Sequence, residues 1–288
     1  MSRKRNRWGS RLGLALCACL TAWALTGRAL ADGGEAGEES GVAVPILMYH
    51  SILGYYRDND YCLTAQQFEG DLAWLKAHGY ETVFVSDLAA YVLEGAPLPE
   101  KPVVVTLDDG FLNGLTTVLP LLEQYDMKAV ISVVGSYTER AVAEDDPNPN
   151  YAYLTWADIR TLSASGRVEI GSHTYDLHSL DGGRMGAGKA PGEAEADYQA
   201  ALQEDLETLQ ALLTERSGVT PTTFAYPYGA TCPEALPVLR DLGFTAALTC
   251  EEQINYLTGN PAQLFSLGRF NRPANLTTED FMARVGLE

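Results

Sequence analysis

From residue 44 onward, short runs of β-branched and other apolar residues alternate with longer stretches of helical periodicity. This alternation predicts an α/β fold with a parallel sheet, because parallel strands need long crossovers between them, usually helices. Seven or eight such units in residues 44–288 are best accommodated by a distorted (β/α) barrel of about seven strands. The predicted strands cover residues 44–49, 82–85, 103–107, 129–134, 168–171, 222–226, 245–249 and 265–267.

Two of the intervening helices have recognisable start signals. Thr64 precedes Gln67 by three residues, and Thr155 precedes Asp158 by the same spacing, which is the pattern of a capping box. A third and longer helix is predicted over residues 193–216. The glycine-rich segment just before it, residues 181–192, has no apolar periodicity, and we expect a mobile insertion on the rim of the barrel.

The N-terminal residues predict an export signal rather than part of the fold. Five basic residues within the first eleven are followed by an apolar stretch over 12–25 and then by Ala29-Leu30-Ala31. The apolar core is shorter than the roughly 20 residues that span a bilayer, so membrane anchoring is expected only if the signal stays uncleaved. We therefore predict a signal peptide over 1–31, a flexible acidic leader over 32–43 and a single domain over 44–288, secreted or at the cell surface.

The part of the chain that would be exported is strongly acidic. Without residues 1–31 it has 14 Lys and Arg against 38 Asp and Glu, a formal charge of −24. Such a field repels polyanions, so nucleic acid is excluded as a partner. The charge is typical of a soluble extracellular protein, and it also suits a neutral or cationic substrate or product.

Three cysteines remain after the predicted signal: Cys62, Cys232 and Cys250. An odd number does not form a complete disulfide framework. A single bridge between Cys232 and Cys250 and three unpaired thiols are both compatible with the sequence.

Two carboxylates and a glycine end the strand predicted over 103–107: Asp108, Asp109 and Gly110. Taken alone, Asp-Asp-Gly is typical of a turn. Neighbouring side chains on a strand point to opposite faces, so the two acids do not form a matched pair around one bond. They suit different tasks, with one carboxylate binding a metal and the other lying beside the metal's water.

The positions of the histidines favour a metal site over a turn. Of the four histidines, His50, His173 and His178 lie at predicted strand ends, whereas His78 ends a helix. The spacing of five between His173 and His178 lets both point at one atom only where a strand runs into a turn. Two imidazoles and a carboxylate with open positions match a metal centre. For His50, a place in the site and a hydrogen-bonded structural role remain open.

A third strand end carries Tyr226-Pro227-Tyr228-Gly229. Such a sequence is a turn on its own. Next to a metal site, it can present the backbone N–H of Tyr228 to a developing oxyanion.

Together these motifs resemble the polysaccharide deacetylase family, carbohydrate esterase family four with the NodB homology domain. Thr106 to Gly110 is similar to T-F-D-D-G, residues 173–178 to the histidine pair, and Phe224 to Gly229 to F-R-P-P-Y-G. The resemblance runs from about residue 44 to the C-terminus. The five-residue histidine spacing, H-x4-H, resembles the branch that acts on exopolysaccharide.

The resemblance implies a distorted (β/α) barrel that hydrolyses the N-acetyl groups of N-acetylglucosamine units and releases acetate. It implies that Asp109, His173 and His178 bind a divalent metal, usually zinc, and that Asp108 is the general base. The backbone of Tyr228 would hold the oxyanion. The expected partner is an N-acetylated polysaccharide, either peptidoglycan or exopolysaccharide.

The chain departs from the family pattern at two places that concern the base and the acid. Ala225 occupies the arginine position of F-R-P-P-Y-G, and Leu267-Gly268-Arg269 stands where the family often has L-x-H. An arginine stays protonated and does not act as the acid. We hypothesise that Arg269 supplies the positive charge that Ala225 lacks, and that protonated Asp108 returns its proton to the leaving amine.

Two other functions compete with deacetylation. A glycoside hydrolase needs two carboxylates on opposite sides of the scissile bond, about 5 to 9 Å apart, which adjacent Asp108 and Asp109 do not offer. A catalytically weakened glycan-binding module on the same barrel is the second alternative, suggested by the missing arginine and histidine.

Overall fold

The computed structural model describes residues 41–288, and the predicted signal peptide and most of the predicted leader lie outside them. The strands are β1 Val42–Val44, β2 Ile46–Tyr49, β3 Ser51–Leu53, β4 Cys62–Thr64, β5 Glu81–Thr82, β6 Pro102–Leu107, β7 Ala129–Val133, β8 Val168–Ser172, β9 Thr223–Ala225, β10 Ala246–Leu248, β11 Asn255–Leu257 and β12 Phe270–Asn271. The helices are α1 Ala65–Ala77, α2 Val85–Glu94, α3 Leu119–Tyr125, α4 Gly135–Glu144, α5 Trp156–Ala164, α6 Glu195–Ser217, α7 Ala235–Asp241 and α8 Thr278–Val285. None of these helices is long and apolar enough to cross a membrane.

Seven strands form one curled parallel sheet in the order β10-β9-β8-β7-β6-β2-β12, and β5 pairs with the start of β6. The predicted distorted (β/α) barrel is thereby confirmed. All six residues of β6 and all five of β7 are buried, as expected for central strands covered on both faces. Because the strands are parallel, their carboxyl ends share one edge of the sheet.

The segment that leads into β12 lies beside β10, at the other end of this strand order. Leu267 forms a parallel bridge to Leu248 at the end of β10, and β12 pairs with β2 in the register Phe270 to Leu47. The amide of Thr249 donates to the Leu267 carbonyl at 2.8 Å. Residues 267–271 therefore lie between β10 and β2, and Arg269 lies in the middle of them.

The predicted helix starts are confirmed. Thr64 and Thr155 both form complete capping boxes, with Gln67 and Asp158 respectively. The long helix α6 begins two residues later than predicted and buries one side chain on nearly every turn. These are Tyr198, Leu202, Leu206, Leu209 and Leu213, a stripe that covers the sheet.

Four local predictions differ from the structure. The strand predicted over 82–85 is only Glu81–Thr82, and α2 begins at Val85. The first strand begins at Val42, within the predicted leader, because 42–44 pairs with β11. The predicted strand over 265–267 is mostly a 3₁₀ turn, Pro261–Ser266, which begins with a proline and an Asn260 side-chain cap. In the predicted mobile insertion, Ala187 is fully buried and its carbonyl accepts a hydrogen bond from the Tyr198 hydroxyl at 2.8 Å, so this segment is anchored on α6.

Candidate active site

The two aspartates leave β6 with different backbone geometries. Asp108 still continues the ladder, and its amide donates to the Tyr49 carbonyl at 3.0 Å. Asp109 has a φ of 72°, in the left-handed region that costs a non-glycine residue energy. Gly110 follows with a φ of 70°, and a Cβ there would lie 3.1 Å from Cγ1 of Val133. The strained turn at Asp109 is what separates the two carboxylates.

Asp109, His173 and His178 converge on one point. Their ligand atoms lie within 4.8 Å of one another. Nε2 of His178 is 3.2 Å from Oδ1 of Asp109, and Nε2 of His173 is 3.7 Å from the same oxygen. His173 follows directly on β8, and the next residue, Thr174, has a φ of 75°, which turns the chain so that His178 comes back to the same point. The predicted combination of a strand and a turn is what brings the imidazoles together.

The residues present fit a divalent metal ion. Oδ1 of Asp109 is buried and accepts no well-aligned hydrogen bond from any described residue. Nδ1 of His173 is 2.8 Å from the Ala225 carbonyl oxygen, so the outer nitrogen of the ring is the protonated one and Nε2 is free to bind a cation. Burial lowers the pKa of His173, which favours the neutral imidazole that a metal requires.

Arg269 forms a two-pronged ion pair with Asp108. Its two terminal nitrogens donate to the two carboxylate oxygens, each at 2.8 Å. The guanidinium has no exposed surface. Its Nε donates to the Thr249 carbonyl at 2.9 Å and one terminal nitrogen also donates to the Thr106 hydroxyl at 3.2 Å. This two-pronged pair is the geometry required by the hypothesis that Arg269 supplies the charge that Ala225 lacks. It places a positive charge beside Asp108 and fixes the orientation of the carboxylate.

The pKa of Asp108 reflects this pairing. Burial alone would raise it, but the charge and hydrogen bonds of Arg269, with His173 nearby, hold the pKa of Asp108 well below its usual value. Asp108 is therefore ionised at any pH at which the barrel is expected to work.

A cavity of about 450 Å³ opens onto these residues. Its lining includes Asp108, Asp109 and both histidines of the site, together with His50. Nδ1 of His50 is buried and has no hydrogen-bond partner within residues 41–288, and burial lowers the pKa of the ring. The structure thus favours a place in the site for His50 over a hydrogen-bonded structural role.

Tyr228 lies on the rim of the same cavity. The turn predicted at 226–229 is present, with a φ of 58° at Tyr228. The residue is 44% exposed, and its hydroxyl is 3.2 Å from Nδ1 of His178. The sequence drew attention to its backbone, but the contact with His178 is made by the side chain.

Sequence reasoning missed several residues that line the cavity or contact His178, because no motif marks them. Met48 and Cys250 are neighbours there, with their sulfur atoms 3.8 Å apart. Tyr137, on α4, places its hydroxyl 3.1 Å from Nδ1 of His178. The cysteines at 62, 232 and 250 are all free thiols, so of the two alternatives left open by the sequence the structure has the unpaired one.

A family model described as polysaccharide deacetylase matches residues 95–247, more than half of the chain. The chain belongs to the polysaccharide deacetylase family. The matched region contains both aspartates, both histidines of the cluster and Tyr228. His50 and Arg269 lie outside it.

Among curated members of this family, the poly-β-1,6-N-acetyl-D-glucosamine N-deacetylase of Escherichia coli K12 is 28% identical over 231 residues. That alignment covers 74% of this chain but 34% of the relative, so the chain spans about a third of the length of that deacetylase. The enzyme of the same name from Staphylococcus aureus MW2 is 25% identical over 194 residues, which are 67% of this chain and 63% of the relative.

Solved structures of deacetylases share the fold. IcaB from Ammonifex degensii superimposes with a TM-score of 0.69 at 26% identity and covers 86% of this chain and 97% of its own. A de-N-acetylase from Aggregatibacter actinomycetemcomitans gives the same TM-score of 0.69 at 25% identity, with 83% of this chain and 100% of its own covered. The matching family model, the shared fold and the names of these relatives therefore agree with the family that the sequence motifs resemble.

Proposed function

We propose that this protein is an exported, metal-dependent hydrolase that removes N-acetyl groups from an N-acetylglucosamine polymer of the exopolysaccharide type. The observation that carries the proposal is the cluster of Asp109, His173 and His178 around a buried carboxylate oxygen that accepts no well-aligned hydrogen bond from residues 41–288. Beside this cluster lies a second carboxylate, Asp108, that an arginine keeps ionised. Its relatives named as poly-β-1,6-N-acetyl-D-glucosamine deacetylases support the substrate class.

Asp109, His173 and His178 would hold the divalent ion, and zinc suits this set of ligands. When bound, such an ion supplies Lewis acidity, which polarises an amide carbonyl and makes a water molecule more acidic. Two nitrogen ligands and one oxygen ligand leave positions open for water and substrate.

Asp108 takes the proton of the attacking water. Its two oxygens each receive one N–H of Arg269, which fixes the plane of the carboxylate and leaves further acceptor positions open. The low pKa of Asp108 makes the group a weak base that releases the proton easily. The general acid step can therefore follow at once.

The leaving amine needs that proton. Protonation of Asp108 replaces an ion pair by a weaker hydrogen bond to Arg269, so the proton has a strong tendency to move on. His50 lines the same cavity with a free Nδ1, and we assign it as the second group that carries the proton to the amine. Replacing His50 by glutamine separates this route from direct return by Asp108, because direct return does not need the imidazole.

For Tyr228 we propose the role that the sequence predicted from its turn. Its backbone N–H is proposed to stabilise the oxyanion at the edge of the cavity. A side-chain variant does not remove a backbone donor, and proline does not adopt the φ of 58° found at Tyr228. This role is therefore tested by replacing the amide between residues 227 and 228 by an ester, which lacks the N–H and keeps the side chain: acetate release should fall, and an unchanged rate would contradict the role.

The remaining parts of the proposal concern location. We propose that residues 1–31 direct export, that 32–43 form a leader and that 44–288 are the catalytic domain, which acts on polysaccharide outside the cytoplasm. N-terminal sequencing of the protein recovered from culture medium or cell envelope tests the cleavage after Ala31.

The decisive experiment combines metal analysis with an acetate assay. Purified protein is incubated with poly-β-1,6-N-acetylglucosamine, peptidoglycan and chitin oligomers, with and without added zinc after chelation. We expect acetate from the first polymer, loss of activity after chelation and no new reducing ends. New reducing ends without acetate would indicate a glycoside hydrolase.

The alternative of a glycan-binding module that has lost catalysis gives a different result. Such a protein binds both zinc and glycan but releases no acetate from any of the three polymers. The intact Asp108 and its ion pair with Arg269 favour the enzyme.

A further inference from the structure

Two tyrosine hydroxyls lie against the outer nitrogen of His178. The hydroxyl of Tyr137 is 3.1 Å from Nδ1, and that of Tyr228 is 3.2 Å from it. Both hydroxyls also approach the carbonyl oxygen of His178, at 3.4 and 3.5 Å. A neutral imidazole whose Nε2 is free for a cation has one hydrogen to donate at Nδ1, so one hydroxyl accepts it at a time.

The two tyrosines differ in how firmly they are held. Tyr137 belongs to α4, and its ring packs against Tyr153 with centroids 4.6 Å apart. The guanidinium of Arg140 lies 5.1 Å from the centroid of the Tyr137 ring and 5.1 Å from that of Tyr153. Tyr228 is 44% exposed on a left-handed turn. Tyr137 is thus the preorganised partner, and Tyr228 is free to rotate toward the cavity.

His173 also has a partner on its outer nitrogen, but of a different kind. Its Nδ1 pairs with a backbone carbonyl, that of Ala225, which sheet geometry fixes in place. His178 lies in a loop after β8 and has no such strand partner. An imidazole ligand needs a partner on its outer nitrogen to select the tautomer and orient the ring.

We infer that Tyr137 is a positioning residue for the metal site: its hydroxyl accepts the Nδ1 hydrogen of His178 and so directs Nε2 to the cation. This inference rests on the proposed function. It follows that the hydroxyl of Tyr228 is available to the sugar. Loss of an outer partner of this kind typically costs a site about 10- to 100-fold in metal affinity.

The test compares three tyrosine-to-phenylalanine variants of the full chain. Each is stripped of metal, and its affinity for Zn²⁺ is measured by competition with a chromogenic chelator. Y137F should bind Zn²⁺ about 10- to 100-fold more weakly than the wild type. Y228F should lose less affinity than Y137F. Y153F is the matched control, because the Tyr153 ring packs against Tyr137 but makes no hydrogen bond to His178. The Zn²⁺ affinity of Y153F should equal that of the wild type.

Two further readouts distinguish positioning from folding. Thermal unfolding in the presence of chelator should show only a small decrease of the midpoint for Y137F, because the ring is kept and only the hydrogen bonds of one hydroxyl are lost. With Co²⁺ in place of Zn²⁺, the visible absorption band of Y137F should shift or broaden relative to that of Y153F, as expected when an imidazole ligand is no longer held in one orientation.

The failure of this inference differs from the failure of the proposed function. If wild type and Y137F bind Zn²⁺ equally, or if Y228F alone loses affinity, Tyr137 is not the positioning residue, although the enzyme can still be a deacetylase. If the wild type binds neither Zn²⁺ nor Co²⁺, the proposed metal-dependent function itself fails.

Discussion

Two aspartate–arginine pairs fasten the C-terminal part of the chain to the barrel, and they make an instructive comparison. One joins Asp108 to Arg269 and the other joins Asp71 to Arg272. All four residues are at most 2% exposed, and both pairs are two-pronged. The arginines are three residues apart in sequence. Burial and pairing are thus alike in the two places.

The two carboxylates differ in the acceptor capacity that is left. Asp71 accepts from Nε and one terminal nitrogen of Arg272, and also from the hydroxyls of Tyr49 at 3.2 Å and Thr278 at 2.7 Å. An ionised carboxylate has about four acceptor positions, so Asp71 is saturated. Asp108 accepts from Arg269, and it lines a cavity that Asp71 does not reach.

A buried ion pair is therefore not by itself a sign of function. The Asp71 pair connects α1, β2 and the start of α8, and it has no position left for a ligand. Asp108 keeps acceptor positions that no donor occupies, and these face the cavity, which is what a proton acceptor needs. The following predictions test this distinction.

The largest effect is expected for Asp108→Asn. The amide has the same shape but does not accept a proton, so acetate release should fall by roughly 10²- to 10⁴-fold. Zn²⁺ affinity should be retained, because Asp109 and the histidines are untouched. An acetate assay and a chelator competition on the same preparation measure both, and wild-type turnover in this variant would remove Asp108 from the mechanism.

Replacing Arg269 by alanine or histidine should have the next largest effect. Loss of the fork lets the carboxylate move, and a displacement of this kind costs on the order of 10²-fold in rate. It also raises the pKa of Asp108 toward the usual value, since the charge of Arg269 is the main factor that lowers it.

The pH profile of the Arg269 variants follows from this rise in the pKa of Asp108. In the wild type, Asp108 stays ionised until the pH falls to its lowered pKa, so activity persists on the acid side. In the variants, activity should be lost at a higher pH as the pH is lowered. Unchanged turnover in both variants, with an unchanged acid limb, would contradict the role of Arg269.

The second pair should affect stability and leave chemistry intact. Asp71→Ala leaves the buried charge of Arg272 without its partner, which typically costs about 3–5 kcal/mol of unfolding free energy. Denaturant titration measures this loss. Acetate release per folded molecule, measured well below the unfolding midpoint, should match the wild type, and a large fall in that rate would mean that the two pairs are functionally linked.

The smallest effect is expected at the edge of the Asp71 cluster. Thr278→Val removes one of its hydroxyl donors and keeps the shape of the side chain, which should cost about 1.5–3 kcal/mol. Acetate release should again be unchanged. A loss as large as that of Asp71→Ala would show that Asp71 depends on Thr278 more than its saturated set of donors implies.

The parts of the fold and of the candidate site that the sequence predicted are local ones. The strand that ends at Leu107 and the capping boxes at Thr64 and Thr155 follow from residue types at short spacings. The cluster of Asp109 with His173 and His178 was predictable because parallel strands end at one edge of a sheet. The strand predicted over 265–267 was wrong, since Pro261 and the Asn260 cap favour a 3₁₀ turn that continues through Ser266.

Contacts across the chain needed the tertiary structure. Arg269 and Asp108 are 161 residues apart, and their fork exists because residues 267–271 lie between β10 and β2. Tyr137 meets His178 across 41 residues because β7 and β8 are neighbours in the sheet. The sequence alone determined the chemical groups and the strand ends that carry them, since those depend on local propensity. Which arginine pairs with Asp108, and which hydroxyls contact His178, was decided by strand order, because only the curled sheet brings such distant side chains within hydrogen-bond distance.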